Sequence, residues 1–165
     1  MKAVDITKLS LQAVGMWMGQ GLLLTAGTID DCNMMTIGWG SIGCMWSRPF
    51  VQVVVRPVRH TFGYMERSDS FTVCGFPPEY RNDLQTLGTI SGRDGDKLSK
   101  TRLSLKKSTL VASPSYNEAS FILECRKMYY QDFDPAHFID ERIAANYPKR
   151  DYHRAFFGEI MAAFA

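Results

Sequence analysis

The sequence has no paired-cysteine motif. Cys32, Cys44, Cys74 and Cys125 are irregularly separated, with no CxxC and no Cys/His ligand spacing, so neither a disulfide framework nor a metal site is implied, and the four read as reduced thiols on strands. There is no GxGxxG after a predicted strand and no GxxxxGK[ST], which excludes a separate Rossmann or P-loop nucleotide site. Charge of one sign is scarce: the net charge of +2 argues against nucleic acid or a membrane surface as partner, since either calls for a concentrated basic face. Long hydrophobic runs are missing too. The apolar run Leu22 to Leu24 follows Gly15, Gly19, Gln20 and Gly21, too short and broken to span a bilayer, and Asp5 and Lys8 do not make a signal-peptide start. A cytoplasmic protein is expected. Repeats, low-complexity tracts and linkers are absent as well, so the 165 residues are expected to form one domain, 1–165.

What is present is a series of strand signals broken by short helical ones. With 45% apolar and 22% charged residues, the chain has the composition of an ordinary globular protein. A short leading helix is expected within residues 4 to 17, then strands at Leu22 to Ala26, Asn33 to Trp46, Phe50 to Val55, Ser70 to Gly75, Ala119 to Asp132 and Ala155 to Phe164. Helices are expected at Thr61 to Arg67, capped by Thr61, at Pro77 to Leu87 and at Ala136 to Asn146. Many strands without a repeating βαβ pattern imply a mainly β fold, an antiparallel barrel with short appended helices.

The stretch Asn33 to Thr61 is the centre of the functional reading. Its first half carries Gly38, Gly40 and Gly43 among small and apolar residues, a composition suited to a backbone lying close against something flat. Its second half delivers Arg56, Arg59, His60 and Thr61 where a strand runs into a helix. Guanidinium groups and helix N–H groups both favour oxyanions, so a phosphate site is expected there, provided Pro57 and Val58 turn the chain enough for the two arginines to converge. The alternative is a solvated strand end with a helix cap. Trp39 and Trp46 are either core or pocket wall, and Trp46 is retained as a pocket wall. The loop Ser91 to Lys97 reads by itself as a solvated turn. His153 titrates in the neutral range and serves either a bound ligand or a polar barrel seam, whereas His137 reads as a surface residue.

The motifs N-x-M-T-I-G-W-G-x-I-G-x-x-W, V-R-P-x-R-x-T and S-G-R-D-x-D-K, in this order, resemble those of the flavin reductase-like, flavoredoxin-type FMN-binding proteins of split β-barrel fold. The resemblance runs from about Gly21 to Glu159. It implies a Greek-key type split barrel holding FMN near the interface of a homodimer. Arg56, Arg59, His60 and Thr61 would hold the phosphate; Asn33, Met35, Thr36, Ile37 and Trp46 would lie along the cofactor. The Ser91 to Lys97 loop would reach across the interface and bring Lys97 to the partner's flavin, with Lys97 and His153 as the catalytic candidates.

The reaction so implied is that of an NAD(P)H-dependent flavin reductase, with a hydride passing from a transiently bound nicotinamide to flavin N5 and electrons passing on to free flavin or a redox protein. The alternative is a flavoredoxin-like FMN electron carrier without nicotinamide-dependent catalysis. A split barrel that has exchanged FMN for haem is disfavoured by the phosphate clamp Arg56, Arg59 and Thr61.

Overall fold

A computed structural model describes all 165 residues. Its frame is an eight-stranded antiparallel sheet. The strands are β1 (Ala3–Val4), β2 (Leu22–Gly27), β3 (Cys32–Ile37), β4 (Gly40–Met45), β5 (Arg48–Val55), β6 (Ser70–Gly75), β9 (Phe121–Asp132) and β10 (Arg154–Phe164). A separate two-stranded ladder joins β7 (Leu105–Lys106) to β8 (Ser115–Tyr116). Three helices are appended, α1 (Ala13–Met18), α2 (His60–Arg67) and α3 (Arg81–Thr89). The fold is therefore mainly β and antiparallel with short appended helices, as the strand signals imply.

The strand order is β3-β2-β6-β9-β10-β5-β4, with β1 pairing on β10. β3 and β4 are consecutive in the chain, joined by Gly38 and Trp39 alone, yet they stand at opposite ends of this order. The sheet must curl until its two ends meet at that corner, and no ladder joins them there. This is the split, and the stretch expected as one strand from Asn33 to Trp46 is two strands flanking it.

β2 and β6 are buried along their whole length. Alternate residues serve two cores: Leu22, Leu24, Ala26, Phe71 and Val73 pack inside the barrel with Met35, Ile37, Val53 and Phe156, while Leu23 and Cys74 face outward against Leu84 and Leu87 of α3 and against Tyr116. A strand covered on both faces need not alternate, and Leu22, Leu23 and Leu24 of β2 read as a continuous apolar run, whereas β6 keeps the buried polar Ser70 and Thr72. Gly40 is closed upon by a flat surface, but that surface is the Trp17 indole, whose Cη2 lies 2.5 Å from where a Cβ would stand.

Two helix expectations change. The leading segment makes only a single 3-10 turn at Ile6–Lys8 before α1. Ala136 to Asn146 is not one α-helix but two short 3-10 helices, Pro135–His137 and Glu141–Asn146. Asp140 restarts the chain by accepting the Arg142 N–H at 3.0 Å, and Ile139, 98% exposed, gives no apolar face to pack. Most helical stability comes from such a face. No helix is long and apolar enough to cross a membrane.

β10 is the strand on which the long β9 and β5 ladders converge, and its pairing with β9 shifts register between Phe157 and Gly158. A Cβ on Gly158 would stand 2.5 Å from Phe71 Cζ and 2.9 Å from Cys125 Cβ, both belonging to fully buried residues. Gly158→Ala is expected to destabilise the protein by about 1–3 kcal/mol through overpacking, seen as a lower urea midpoint with an unchanged slope.

Candidate functional site

β5 ends at Val55, and Pro57, which has no N–H to donate, stops the ladder there. The next four residues form a tight turn, with the Arg59 N–H donating to the Arg56 carbonyl at 3.0 Å. This is the bend that two converging arginines require. α2 begins immediately after it with Arg59 as N-cap and no side-chain cap. The N–H groups of His60 and Thr61 consequently find no acceptor within the chain, as expected of an uncapped first turn.

Those residues line a cavity of about 440 Å³ whose opposite wall is the end of α3 and the loop after it, from Leu87 to Arg93, with Lys97 beneath. Four cationic side chains meet here. Arg56 is engaged, donating to both carboxylate oxygens of Asp151 at 3.0 and 3.2 Å and to the Asn146 carbonyl at 2.8 Å; the guanidinium in turn holds the Asp151 carboxyl below its ordinary range. Arg59 is exposed and makes one long bond, 3.5 Å, to the Gly88 carbonyl. Arg93 reaches back to the Val58 carbonyl at 3.1 Å. Lys97 is buried, its ammonium donating to the Leu87 and Ile90 carbonyls at 2.9 and 3.2 Å. It thereby caps the C-terminal end of α3, where a cation is favoured. Burial, and then the nearby Arg59, lower its pKa to about 8. Asp151 is the single carboxylate on the cavity wall, and it is already paired with Arg56, so the cavity's charge favours an anion.

A second cavity, about 230 Å³, shares Met35, Arg56 and Arg59 with the first and runs along β3 to Gly38, Trp39 and His153. β3 stands at one end of the sheet, so its outer edge has no strand partner. The Met34 carbonyl takes a hydrogen bond from Thr61 Oγ1 at 3.3 Å. The Met35 and Ile37 side chains point into the barrel core, and the Thr36 hydroxyl donates to the Leu84 carbonyl of α3. What this stretch offers the cavity is mainly backbone. The two cavities adjoin across Met35, Arg56 and Arg59 and form one cleft lining, cationic at the α2 end and uncharged at the Trp39 end.

Residues 19–163 match the family model of the flavin reductase like domain. The chain belongs to the flavin reductase-like family. Among solved structures, the flavin reductase-like chain is similar in fold to the flavoredoxin of Methanosarcina acetivorans, with a TM-score of 0.69 at 24% identity over 87% of this chain and 67% of that one. An FMN-binding domain of a flavin reductases-like enzyme from Shewanella baltica superposes with a TM-score of 0.70 at 19% identity, covering 98% of this chain and 75% of that one. A curated relative, an uncharacterised protein of Archaeoglobus fulgidus, is 30% identical over 104 residues, which are 63% of this chain. The match spans 58% of that relative's length.

Within this flavin reductase-like fold, Asn33, Met35, Arg56, Arg59, His60, Thr61 and Lys97 all line the larger cavity, and Thr36, Ile37 and His153 line the smaller one. Three of them, and Trp46 outside the two cavities, sit differently from expectation. The Thr61 hydroxyl neither caps α2 nor faces solvent; it is buried, accepting from Asn33 Nδ2 at 2.7 Å and donating to Met34, so its backbone N–H is the group left for a ligand. Lys97 is folded beneath its own chain's cavity instead of projecting outward on its loop, because the carbonyls at the end of α3 hold it. His153 does not titrate near neutrality: burial, and then Arg56, lower its pKa to about 4. Trp46 lies on neither cavity. It and Ser47 form the tip of the β4–β5 hairpin with φ of 52° and 57°, as a type I′ turn requires, and its exposed ring packs edge-on against Tyr129. It stands at the opposite end of β5 from Arg56, and the tryptophan on the cleft is Trp39. Arg93 was missed as a site residue although it stands in the same S-G-R-D-G-D-K motif as Lys97. Asp151 and Tyr147, which fix Arg56 and His153, carried no sequence signal.

Because the folded-state pKa of Lys97 is below its unfolded value, the folded protein sheds this proton first. Its burial costs stability at neutral pH, and that cost is relieved as pH rises from about 8 towards 10.5. Relative to Lys97→Met, the unsubstituted protein is expected to gain stability over that window, measured as the difference between two urea midpoint series against pH.

Proposed function

We propose that the cleft binds FMN, with the phosphate at the α2 end and the ring along β3 towards Trp39, and that the protein is an NAD(P)H-dependent flavin reductase acting as one split-barrel unit within a homodimer. The observation that carries this reading is the convergence of the unpaired His60 and Thr61 amides with Arg59, Arg93 and Lys97 at one end of a cleft whose other end, beyond Arg56 and Arg59, carries no charged side chain. The donor set fits a phosphate monoester: two helix-start amides, two guanidinium groups with spare donors and an ammonium. It fits a flavin ring equally, since the β3 edge is open along the smaller cavity and its side chains are turned elsewhere. The flavin reductase-like family and the FMN-binding of the Shewanella baltica relative point the same way.

In this reading Arg59, Arg93 and the two amides bind the phosphate. Arg56 is a fixed member, aligned by Asp151 and the Asn146 carbonyl. The ammonium of Lys97 adds positive potential beneath the cavity. The β3 main chain and His153 orient the ring, and Trp39 shields its far end from water. When bound, FMN supplies two-electron redox chemistry between a nicotinamide and an acceptor. Both cavities open beside exposed apolar side chains, Trp39 at 48% and Val58 at 57% exposure; a second subunit would cover them and complete the nicotinamide site.

Two measurements test this. Arg59→Ala is expected to weaken FMN binding about 10- to 100-fold, the worth of charge-assisted hydrogen bonds, while leaving riboflavin, which lacks the phosphate, nearly unaffected; equal losses for both ligands would refute the phosphate assignment. In an anaerobic titration of FMN-loaded protein, NADH or NADPH is expected to bleach the flavin band. Bleaching by dithionite but by neither nicotinamide would replace the reductase with an electron carrier.

A further inference from the structure

His153 is held from several sides. Its ring stands 5.1 Å from the Trp39 ring and 6.3 Å from that of Phe133, centroid to centroid, and its carbonyl accepts the Phe133 N–H at 2.9 Å. Nδ1 lies 2.8 Å from the Tyr147 hydroxyl, while Nε2 has no partner in the chain and the residue lines the smaller cavity. Tyr147 is itself buried and clamped: Phe138 stacks on its ring at 5.8 Å, Tyr152 packs at 5.1 Å, and the Arg56 guanidinium lies 5.2 Å from its centroid.

Two proton arrangements satisfy the short contact, and they differ in cost. If Nδ1 carried the proton and donated to the phenol oxygen, the buried Tyr147 O–H would have no acceptor, and an unpaired buried donor is expensive. If the phenol donates to Nδ1, both groups are satisfied and the imidazole proton resides on Nε2. Burial raises the Tyr147 phenol above its ordinary value, so the phenol keeps its proton. The charged groups around the ring, Arg56, Arg59 and Asp151, carry a positive excess, and together with burial they keep the imidazole neutral.

We propose that Tyr147 is a positioning residue that locks His153 in its neutral Nε2–H form, giving the Trp39 end of the cleft a fixed, uncharged hydrogen-bond donor for the carbonyl oxygen of a planar ring ligand. The identity of that ligand as a flavin rests on the proposed function; the locked donor does not. A neutral donor suits a carbonyl, and it neither attracts a free anion nor delivers a proton near neutrality.

The test is nitrogen NMR of the protein labelled with ¹⁵N-histidine, followed by titration with riboflavin, whose binding does not depend on a phosphate. His153 is expected to show a protonated Nε2 and an unprotonated Nδ1, with a midpoint near the value of about 4. Riboflavin is expected to shift Nε2 more than Nδ1. Tyr147→Phe is expected to populate the Nδ1–H form and weaken riboflavin about three- to tenfold, the worth of one neutral hydrogen bond. A proton on Nδ1 in the unsubstituted protein would overturn the lock. Riboflavin binding that leaves Nε2 unmoved, or that is as tight in Tyr147→Phe, would overturn the carbonyl contact. Failure of the unsubstituted protein to bind either FMN or riboflavin would refute the flavin site and with it the ring carbonyl, and the NMR of the free protein would still decide the lock separately.

Discussion

The structure depends on a ladder that cannot be completed. β3 and β4 are neighbours in the chain but the two ends of the strand order, so one edge of β3 is left without a strand. An exposed row of backbone donors and acceptors invites pairing with any other strand, and proteins cover such edges. Here the covering is piecemeal. Thr61 takes the Met34 carbonyl, and Asn33, from β3 itself, anchors Thr61. The Thr36 side chain ties α3 to the strand through the Leu84 carbonyl without pairing the β3 backbone. The remainder of the edge borders the smaller cavity. The cleft exists because the barrel is split, and α2 and α3 stand on its walls because they are what blunts the edge.

This explains which parts of the site were legible in the sequence. Arg56 and Arg59 lie within four residues of each other at the end of the strongest strand signal, so the Pro57 turn brings them together by local geometry alone. The strands themselves were legible because their residues have the composition of sheet, even in β2, where burial on both faces removed the alternation. Lys97 and Thr61 were legible as members of the cleft but not in their roles. Whether a lysine projects or folds back depends on carbonyls at the end of α3, and whether a threonine caps its helix depends on an asparagine 28 positions away. A tryptophan beside glycines, as at Trp46, looks the same in sequence whether it lines the cleft or tips a hairpin. The Ala136 to Asn146 segment misled: its Asp-Pro start is real, but nothing lies beneath Ile139 to hold a helix against the body.

The four cations at the cleft are not equivalent, and their differences follow from their partners. Arg56 has already been satisfied by Asp151 and a backbone carbonyl, so its contribution to a ligand is placement more than charge. Lys97 is satisfied by carbonyls only, which leaves its full charge in a buried setting and lowers its pKa; an anion above it would relieve that cost. Arg59 and Arg93 hold one backbone carbonyl each and retain most of their donors. A bound phosphate would therefore meet two guanidinium forks with spare donors from the open side and fixed amides from α2.

Charge would also decide which way round a ligand lies. The α2 end presents a helix start and three cations without a carboxylate partner, while beyond the shared arginines the cleft offers main chain, Val54, Trp39 and a neutral imidazole. An elongated ligand with an anion at one end and a neutral ring at the other gains from both ends in one orientation only. Reversed, it would place its anion among groups that cannot neutralise it and its ring over ammonium and guanidinium groups that would lose water for little return, a penalty that grows as the cleft closes to solvent. A histidine that titrated near neutrality would blur this distinction whenever it became charged. Holding His153 neutral through Tyr147 preserves it, so the same burial that removes the histidine from acid–base work makes it useful in setting orientation.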